Sequence, residues 1–446
     1  MPETTGTRRP RLGFLRAVTR RFGTWPLFGV ILVWVVLALA VFTVLGWLWG
    51  EGPLWSWQRW LTNWRGAGAG ARPLDVVKVS LTTIGGIGGT GYLVIKYRER
   101  ASAERADAEQ RLLSGVQQLG SGSPQVRIAG VYSLADVADT YRGEYRQRVV
   151  SILCGYLRTQ RGERRTIVNE QDGPEQSSEE KVYVSHDGAV ESTVLEVLVR
   201  HLRKRREKTK HREAVTQLVE DDQLWCDCTI DLHDAVLTEI ADFWCATFNH
   251  NANFRGATFT NDADFQDATF NHNASFRGAT FTNDADFQDA TFNHNASFRG
   301  ATFTNDADFQ DATFTSFASF RDATFTNDAN FRGATFNDAA NFWRATFTND
   351  ADFQDATFTI FASFRDATFN RYANFLGATF NGADFRDATF SRSAPPRGLP
   401  PGRVDETGLP HGARWADADD EGPEAGFPDD APAEGTDPGS AGSAAS

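Results

Sequence analysis

The sequence predicts two N-terminal transmembrane helices, an α-helical linker, an all-β solenoid of about 22 residues per coil and a disordered C-terminal tail. Three observations predict it. No charged residue stands between Thr24 and Gly50. From about 230 to 392 phenylalanine returns every five or six residues, with alanine two places before nearly every one. Residues 257–278, ATFTNDADFQDATFNHNASFRG, recur letter for letter at 279–300. Such a shift in composition along 446 residues argues for several segments rather than one core.

The first apolar run, about 25–49, is long enough to cross the roughly 30 Å of a bilayer interior as a helix. A secretory signal would be shorter and end in a small-residue cleavage site. A second span is expected at 76–97, with Lys78 near its end, where the stem can reach the interface. Gly85 and Gly89 give it a small-residue face on which two helix backbones can approach. Gly86, Gly88 and Gly91 match a dinucleotide-loop spacing, but the strand before and the acid after it are missing, so the match is coincidental. Arg8, Arg9, Arg11, Arg16, Arg20 and Arg21 lie before the first span, and Lys96, Arg98 and Arg100 after the second. That bias makes 1–24 a basic cytoplasmic N-terminus and 25–97 a hairpin with both ends in the cytoplasm, at the cell (inner) membrane. Trp55, Trp57, Trp60 and Trp64 in the connection suit the far headgroup layer.

Residues 98–229 read as a helical linker. The second span continues as a polar helix to the break at Gly120–Pro124. Ile128, Val131, Leu134 and Ala138, then Val149, Ile152, Leu153 and Leu157, follow helical spacing and predict an antiparallel pair. The polar stretch 159–192 reads as a loop, with Ser192 capping a third helix that buries Val194, Val197, Leu198 and Leu202. His201 beside that face is read as packed rather than as a ligand. Arg200 to Arg212 is the most basic run in the chain; a solvated helix face is its plain reading, and contact with anionic lipid the functional one. Nucleic acid is disfavoured there because no aromatics interleave the charges.

Four cysteines, Cys154, Cys226, Cys228 and Cys245, lack the spacing of a disulfide framework and fit a reducing compartment. Cys226 and Cys228, with His233 and Cys245 nearby, leave too little room for a C-x2-C metal knuckle. They read as small buried thiols at the start of a coil, and neither a metal nor a cofactor is expected.

The repeat units ADFQD, ATFTN, ASFRG and ANFRG over about 160 residues resemble the pentapeptide-repeat family, whose motif is A-(D/N/T/S)-(L/F)-x-x. The resemblance implies a right-handed quadrilateral β-helix with the central Phe or Leu and the small residue two before it pointing inward. Leu232 and Leu237 take the Phe place at the start. The departure is one extra residue in every second unit, which lengthens the coil to 22 residues, about seven coils in all. A coil cannot bury its face alone; stacking Phe on Phe removes both from water. A period near 5.5 matches no amphipathic helix. The segment QLGSGSPQVRIAGVYSLADVA, with YRQRVVSILCGYLR, resembles the helical region before the repeats in bacterial membrane-anchored members.

Residues 241–390 hold 19 Asp, no Glu and 9 Arg, a net charge of -10, which argues against nucleic-acid binding by this block. Spans of 22 align Arg255, Arg277, Arg299 and Arg321 in one column and Asp262, Asp284, Asp306, Asp328 and Asp350 in another, each expected to meet opposite charges across a face. His250, His272 and His294 share an outer column. The inserted position changes from Asn251, Asn273 and Asn295 to Phe317 and Phe361, and Trp343 replaces an arginine in its column. These three aromatics form the candidate protein-interaction or homodimer surface.

No nucleophile–base pair, carboxylate pocket or phosphate loop is legible, and a Phe-filled solenoid has no cleft, so no enzyme is expected. The expected function is a membrane-anchored scaffold that presents a rigid acidic rod to a cytoplasmic protein. The alternative is DNA mimicry, because some members of the resembled family imitate duplex DNA and act on topoisomerases.

Overall fold

A computed structural model of the chain describes residues 36, 40, 72–168, 179–204, 218–399 and 404–416. The chain divides into two units, Met1–Glu109 and Gln110–Ser446. The first expected span, 25–49, lies outside the described residues except for Val36 and Ala40. Helix α1 (Arg72–Leu119) contains the second expected span. Among the described residues, however, no helix is long and apolar enough to cross a membrane. The glycines and threonines of TTIGGIGGTG dilute this stretch, so the structure supports a helix here but not a crossing. The same continuous helix runs through Gly86, Gly88 and Gly91, leaving no loop to cradle a phosphate.

The second unit begins with the end of α1, whose Leu112 and Leu119 join the buried core. Helices α2 (Pro124–Thr140) and α3 (Glu144–Arg158) follow and pack on each other. Pro124 occupies the first turn of α2, where its missing N–H leaves no helical bond unmade. The stretch expected as a loop instead holds an antiparallel hairpin of β1 (Gly162–Val168) and β2 (Glu179–Ser185). Its strands are rich in Glu, Arg and Lys, so apolar alternation was too weak to mark them. Helix α4 (Gly188–Leu202) starts four residues before the expected Ser192 cap. Ser192 lies within its first turns, donating to the Ala189 carbonyl at 3.2 Å, while Val194, Val197, Leu198 and Leu202 are buried as expected.

From Ile230 the described residues form thirty-one two-residue strands, β3 (Ile230–Asp231) to β33 (Arg414–Trp415). They stack into four parallel sheets of 8, 9, 7 and 7 strands, about eight coils rather than the expected seven. In chain order the sheets are face 1 (Ala252–Asn253 and equivalents), face 2 (Thr258–Phe259), face 3 (Ala263–Asp264) and face 4 (Thr269–Phe270). Each strand pairs in register with the one 22 residues on, as in Thr269 with Thr291 and Phe270 with Phe292. The backbone ladder continues around the corners: the N–H groups of Phe265 and Asp267 donate to the carbonyls of Asp286 and Gln288 at 2.7 and 2.8 Å.

Inside, every Phe from Phe254 to Phe375 in the repeat pattern is buried, and each rests on its equivalent in the next coil. Phe265 stacks on Phe287 at 4.9 Å with planes 2° apart, and meets Phe276 edge-on at 5.3 Å and 85°. Both geometries are favoured by the ring quadrupole and add to burial. The alanine two places earlier is buried as well; a larger side chain would collide with the ring lattice. Two-residue corners require a left-handed backbone at their second position, where φ runs from 55 to 57° at Asp267, Asp289 and Asp311 and is 65° at Gly256. Glycine and Asp tolerate that conformation, which explains why this column alternates between them.

Both ends of the stack are covered. At the start, α3 and α4 lie against the first coil and share its core. At the finish, part of the tail expected to be disordered from 393 is folded: Arg414–Trp415 pairs with Thr389–Phe390, and Leu409 is fully buried. The last Phe layer would otherwise face water, and this segment supplies the apolar cover that periodicity could not reveal.

Candidate functional site

Because the interior is closed by rings and alanines, recognition is confined to the outer wall, which is organised in columns with a spacing of about 4.8 Å, the distance between paired strands. Face 3 and its flanking corners are acidic. The corner before it carries Asp262, Asp284, Asp306, Asp328 and Asp350; the face carries Asp264, Asp286, Asp308 and Asp352; the corner after it carries Asp267, Asp289, Asp311 and Asp355. Burial pushes the Asp308 carboxyl above the usual carboxylate range, and Asp289 and Asp311 add to the shift against its hydrogen bonds from Gln310 and Asn330. Asparagines separate the first column electrically: Asn305, Asn327 and Asn349 donate to Asp284, Asp306 and Asp328 at 2.5, 2.6 and 2.6 Å.

The corner between faces 1 and 2 is basic, with Arg255, Arg277, Arg299 and Arg321. Among the described residues, the ion pairs along this corner belong to the later coils. Asp322 lies 3.7, 3.2 and 3.5 Å from Arg299, Arg321 and Arg344, and Arg365 pairs with Asp366 and Asp387. In the earlier coils the neighbour is Gly256, Gly278 or Gly300, leaving an open groove lined by Arg255, Arg277 and Arg299, with Asp234 at its end.

The three candidate aromatics lie on the two corners flanking face 1. Phe317 and Phe361 are 38 and 42% exposed, two coils apart in one column with Ala339 between them. Trp343 sits across face 1, half-buried, under the Arg321 guanidinium at 4.0 Å and donating to Asp366 at 2.8 Å. The structure therefore does not bring all three into one patch: Trp343 is engaged by its own column. It adds two residues the column reading passed over. Ile360, in the histidine column beside Phe361, and Leu376 are both more than half exposed. The histidines are exposed, with rings stacked at 5.7 and 5.1 Å.

Of the basic run Arg200 to Arg212, residues 205–212 lie outside the described residues. Arg203 is committed to the first coil, donating to Trp244 O at 2.8 Å and to Asp242 at 2.7 Å, so it is not available to lipid. His201 is packed as expected, stacked on Trp225 at 4.0 Å; Asp139 is 3.2 Å from its Nε2 and accepts from the Trp225 indole at 3.0 Å. Among the described residues no group of His, Cys, Asp and Glu could hold a metal ion.

All four cysteines are buried thiols outside any disulfide. Burial pushes the Cys154 thiol up to about 12, and those of Cys226 and Cys228 up to about 11. The expected result is that a disulfide reagent at pH 8 labels none of these three until denaturant is added; labelling of the native protein on the time scale of a free thiol would contradict their burial. Because the folded chain holds these protons more tightly than the unfolded chain, they also make stability fall as pH rises from about 9 towards 11.

The repeat geometry has a counterpart among known families. Seven overlapping stretches, 243–291, 254–302, 265–313, 287–335, 298–346, 331–379 and 342–389, match the family described as pentapeptide repeats (9 copies). The chain is a pentapeptide-repeat protein. No curated protein matches it. In this pentapeptide-repeat protein the family match starts at Phe243, a little over half a coil after the first strand, because Ile230, Leu232 and Leu237 replace the alanine–phenylalanine pattern where the solenoid meets its helical cap.

Proposed function

We propose that this pentapeptide-repeat protein is a non-enzymatic, membrane-tethered scaffold whose solenoid is held in the cytoplasm and recognised by a protein through its outer wall. The observation that carries the reading is the division of labour in the coil: phenylalanine and alanine fill the inside, and most charged and hydroxyl-bearing repeat side chains stand on the outer wall in fixed columns, with Thr247, Asp267 and Ser319 among the few that are covered. Such a wall offers many weak, regularly spaced contacts and no enclosed chamber for a reaction. Tethering rests on the uncharged run 24–50 and its arginine-rich flank. A return through 76–97 would need shielding of its glycine-rich stretch by the first helix, for which Gly85 and Gly89 leave room.

In the test, the full chain is used to capture partners from native membranes at low and high salt. Capture should need the solenoid, weaken as salt rises, and fall when Phe317 and Phe361 are changed to serine. Salt-independent capture by a chain lacking the solenoid would refute the scaffold reading. The acidic columns of face 3 favour DNA mimicry as a second reading, which predicts inhibition of gyrase supercoiling by micromolar protein; the arginine corner opposes it.

A further inference from the structure

Face 2 has an unusual symmetry of charge. Its centre is a flat ladder of threonines, Thr258, Thr280, Thr302, Thr324, Thr346 and Thr368, one per coil. The arginine corner borders it on one side, and the first aspartate column on the other. Arg255 and Arg277 enter no ion pair among the described residues, and a Cβ at Gly278, beside Arg277, or at Gly300, beside Arg299, would meet nothing within 4 Å, so the arginine edge is open there, whereas the Asp234 carboxylate lies over Gly256 beside Arg255. Asp284 and Asp306 are exposed, held by asparagines through one oxygen each, and have no cationic partner among the described residues.

We propose that two copies of this chain pair through face 2 with their solenoid axes parallel. Two coils facing each other across a two-fold axis that runs along the rods exchange left and right edges, so Arg277 of each copy meets Asp284 of the other. Arg255 likewise meets Asp262, and Arg299 meets Asp306. Turning one rod end for end instead brings arginine opposite arginine and aspartate opposite aspartate. Charge therefore selects the parallel arrangement and rejects the antiparallel one. Both edges carry the same coil repeat, so the match recurs through Arg321 and Asp328 and ends where Trp343 interrupts the arginine column. The contact is isologous, as expected of a closed dimer, and it does not use the Phe317 and Phe361 corner. A face this narrow buries less than a standard interface, so the pairing is weak in dilute solution and gains from any tether that holds two copies side by side.

The test uses the full chain in detergent micelles at low salt. Thr258→Cys and Thr368→Cys, near opposite ends of the face, are treated separately with a short bismaleimide. Each variant should link to a second copy of itself. Linkage of neither, or linkage only between the two variants when mixed, would overturn the parallel pairing. Charge is then tested with Arg277→Asp/Arg299→Asp and with Asp284→Arg/Asp306→Arg, each placed in the Thr258→Cys background. Either charge variant alone should lose linkage by about tenfold, the loss expected from reversing several exposed pairs, and an equimolar mixture should recover it. Unchanged circular dichroism in both variants separates this outcome from misfolding. Failure of the mixture to recover would refute the charge match and would leave the scaffold reading, which rests on a different protein partner, untouched.

Discussion

Replacing Phe309 by alanine is expected to destabilise the solenoid by about 3–5 kcal/mol, the usual cost of removing a buried ring whose neighbours cannot close the gap. Phe309 is fully buried, stacks on Phe287 at 4.8 Å and on Phe331 at 4.9 Å, and meets Phe298 and Phe320 edge-on at 5.3 Å. The vacancy would be walled by rings whose backbones are pinned by coil-to-coil hydrogen bonds, so collapse into it is limited. Because each coil is supported only by its neighbours, a defect in the middle weakens both halves of the stack. Urea titration of the full chain in detergent, followed by circular dichroism, reads the shift. Phe309→Leu should cost clearly less, since it keeps most of the volume. A shift under about 1 kcal/mol for the alanine variant would mean that the rings do not share a packed lattice.

Arg161→Met is expected to cost a similar amount, about 3–5 kcal/mol, because it leaves a buried carboxylate without its cation. Glu191 is fully buried and pairs with Arg161, whose side chain is 5% exposed. Glu191 also accepts from the Thr238 amide at 2.5 Å, the Glu239 amide at 3.2 Å and the Thr238 hydroxyl at 2.9 Å, while Arg161 donates to Leu157 O at 3.0 Å and Val236 O at 2.7 Å. The pair thus joins α3 and α4 to the first coil. Arg161→Met/Glu191→Leu should recover much of the loss, since an apolar pair removes both charges together. Hydrogen exchange supplies the localised readout: amides of the first coil should lose protection in the single variant before those of the middle coils. Uniform loss throughout the stack would show that the cap and the coils do not meet through this pair.

The sequence revealed the parts of the fold that repeat and concealed those that occur once. The Phe and Ala columns, the 22-residue register and the outward histidines all follow from periodicity, because each coil poses the same packing problem. The Arg161–Glu191 pair has no period: its members are thirty residues apart and meet a third segment, so nothing local marks them. The same holds for the hairpin at 162–185 and for Leu409 and Trp415 over the last coil. On the wall, the columns were legible but their neutralisation was not. Whether Arg299 has a partner depends on Asp322 replacing glycine one coil further on, a substitution whose meaning appears only when the corner is built. Trp343 was visible as an oddity in its column, yet its ring lies beneath Arg321 and its N–H is already used.

The letter-for-letter identity of 257–278 and 279–300 places these two coils in interchangeable surroundings. Adding or deleting one such copy leaves every remaining ring with the neighbours it requires, so rod length is an inherited copy number rather than a property that the core must be redesigned to change. Reach can therefore evolve in steps of one strand spacing, about 4.8 Å, without passing through a misfolded intermediate sequence.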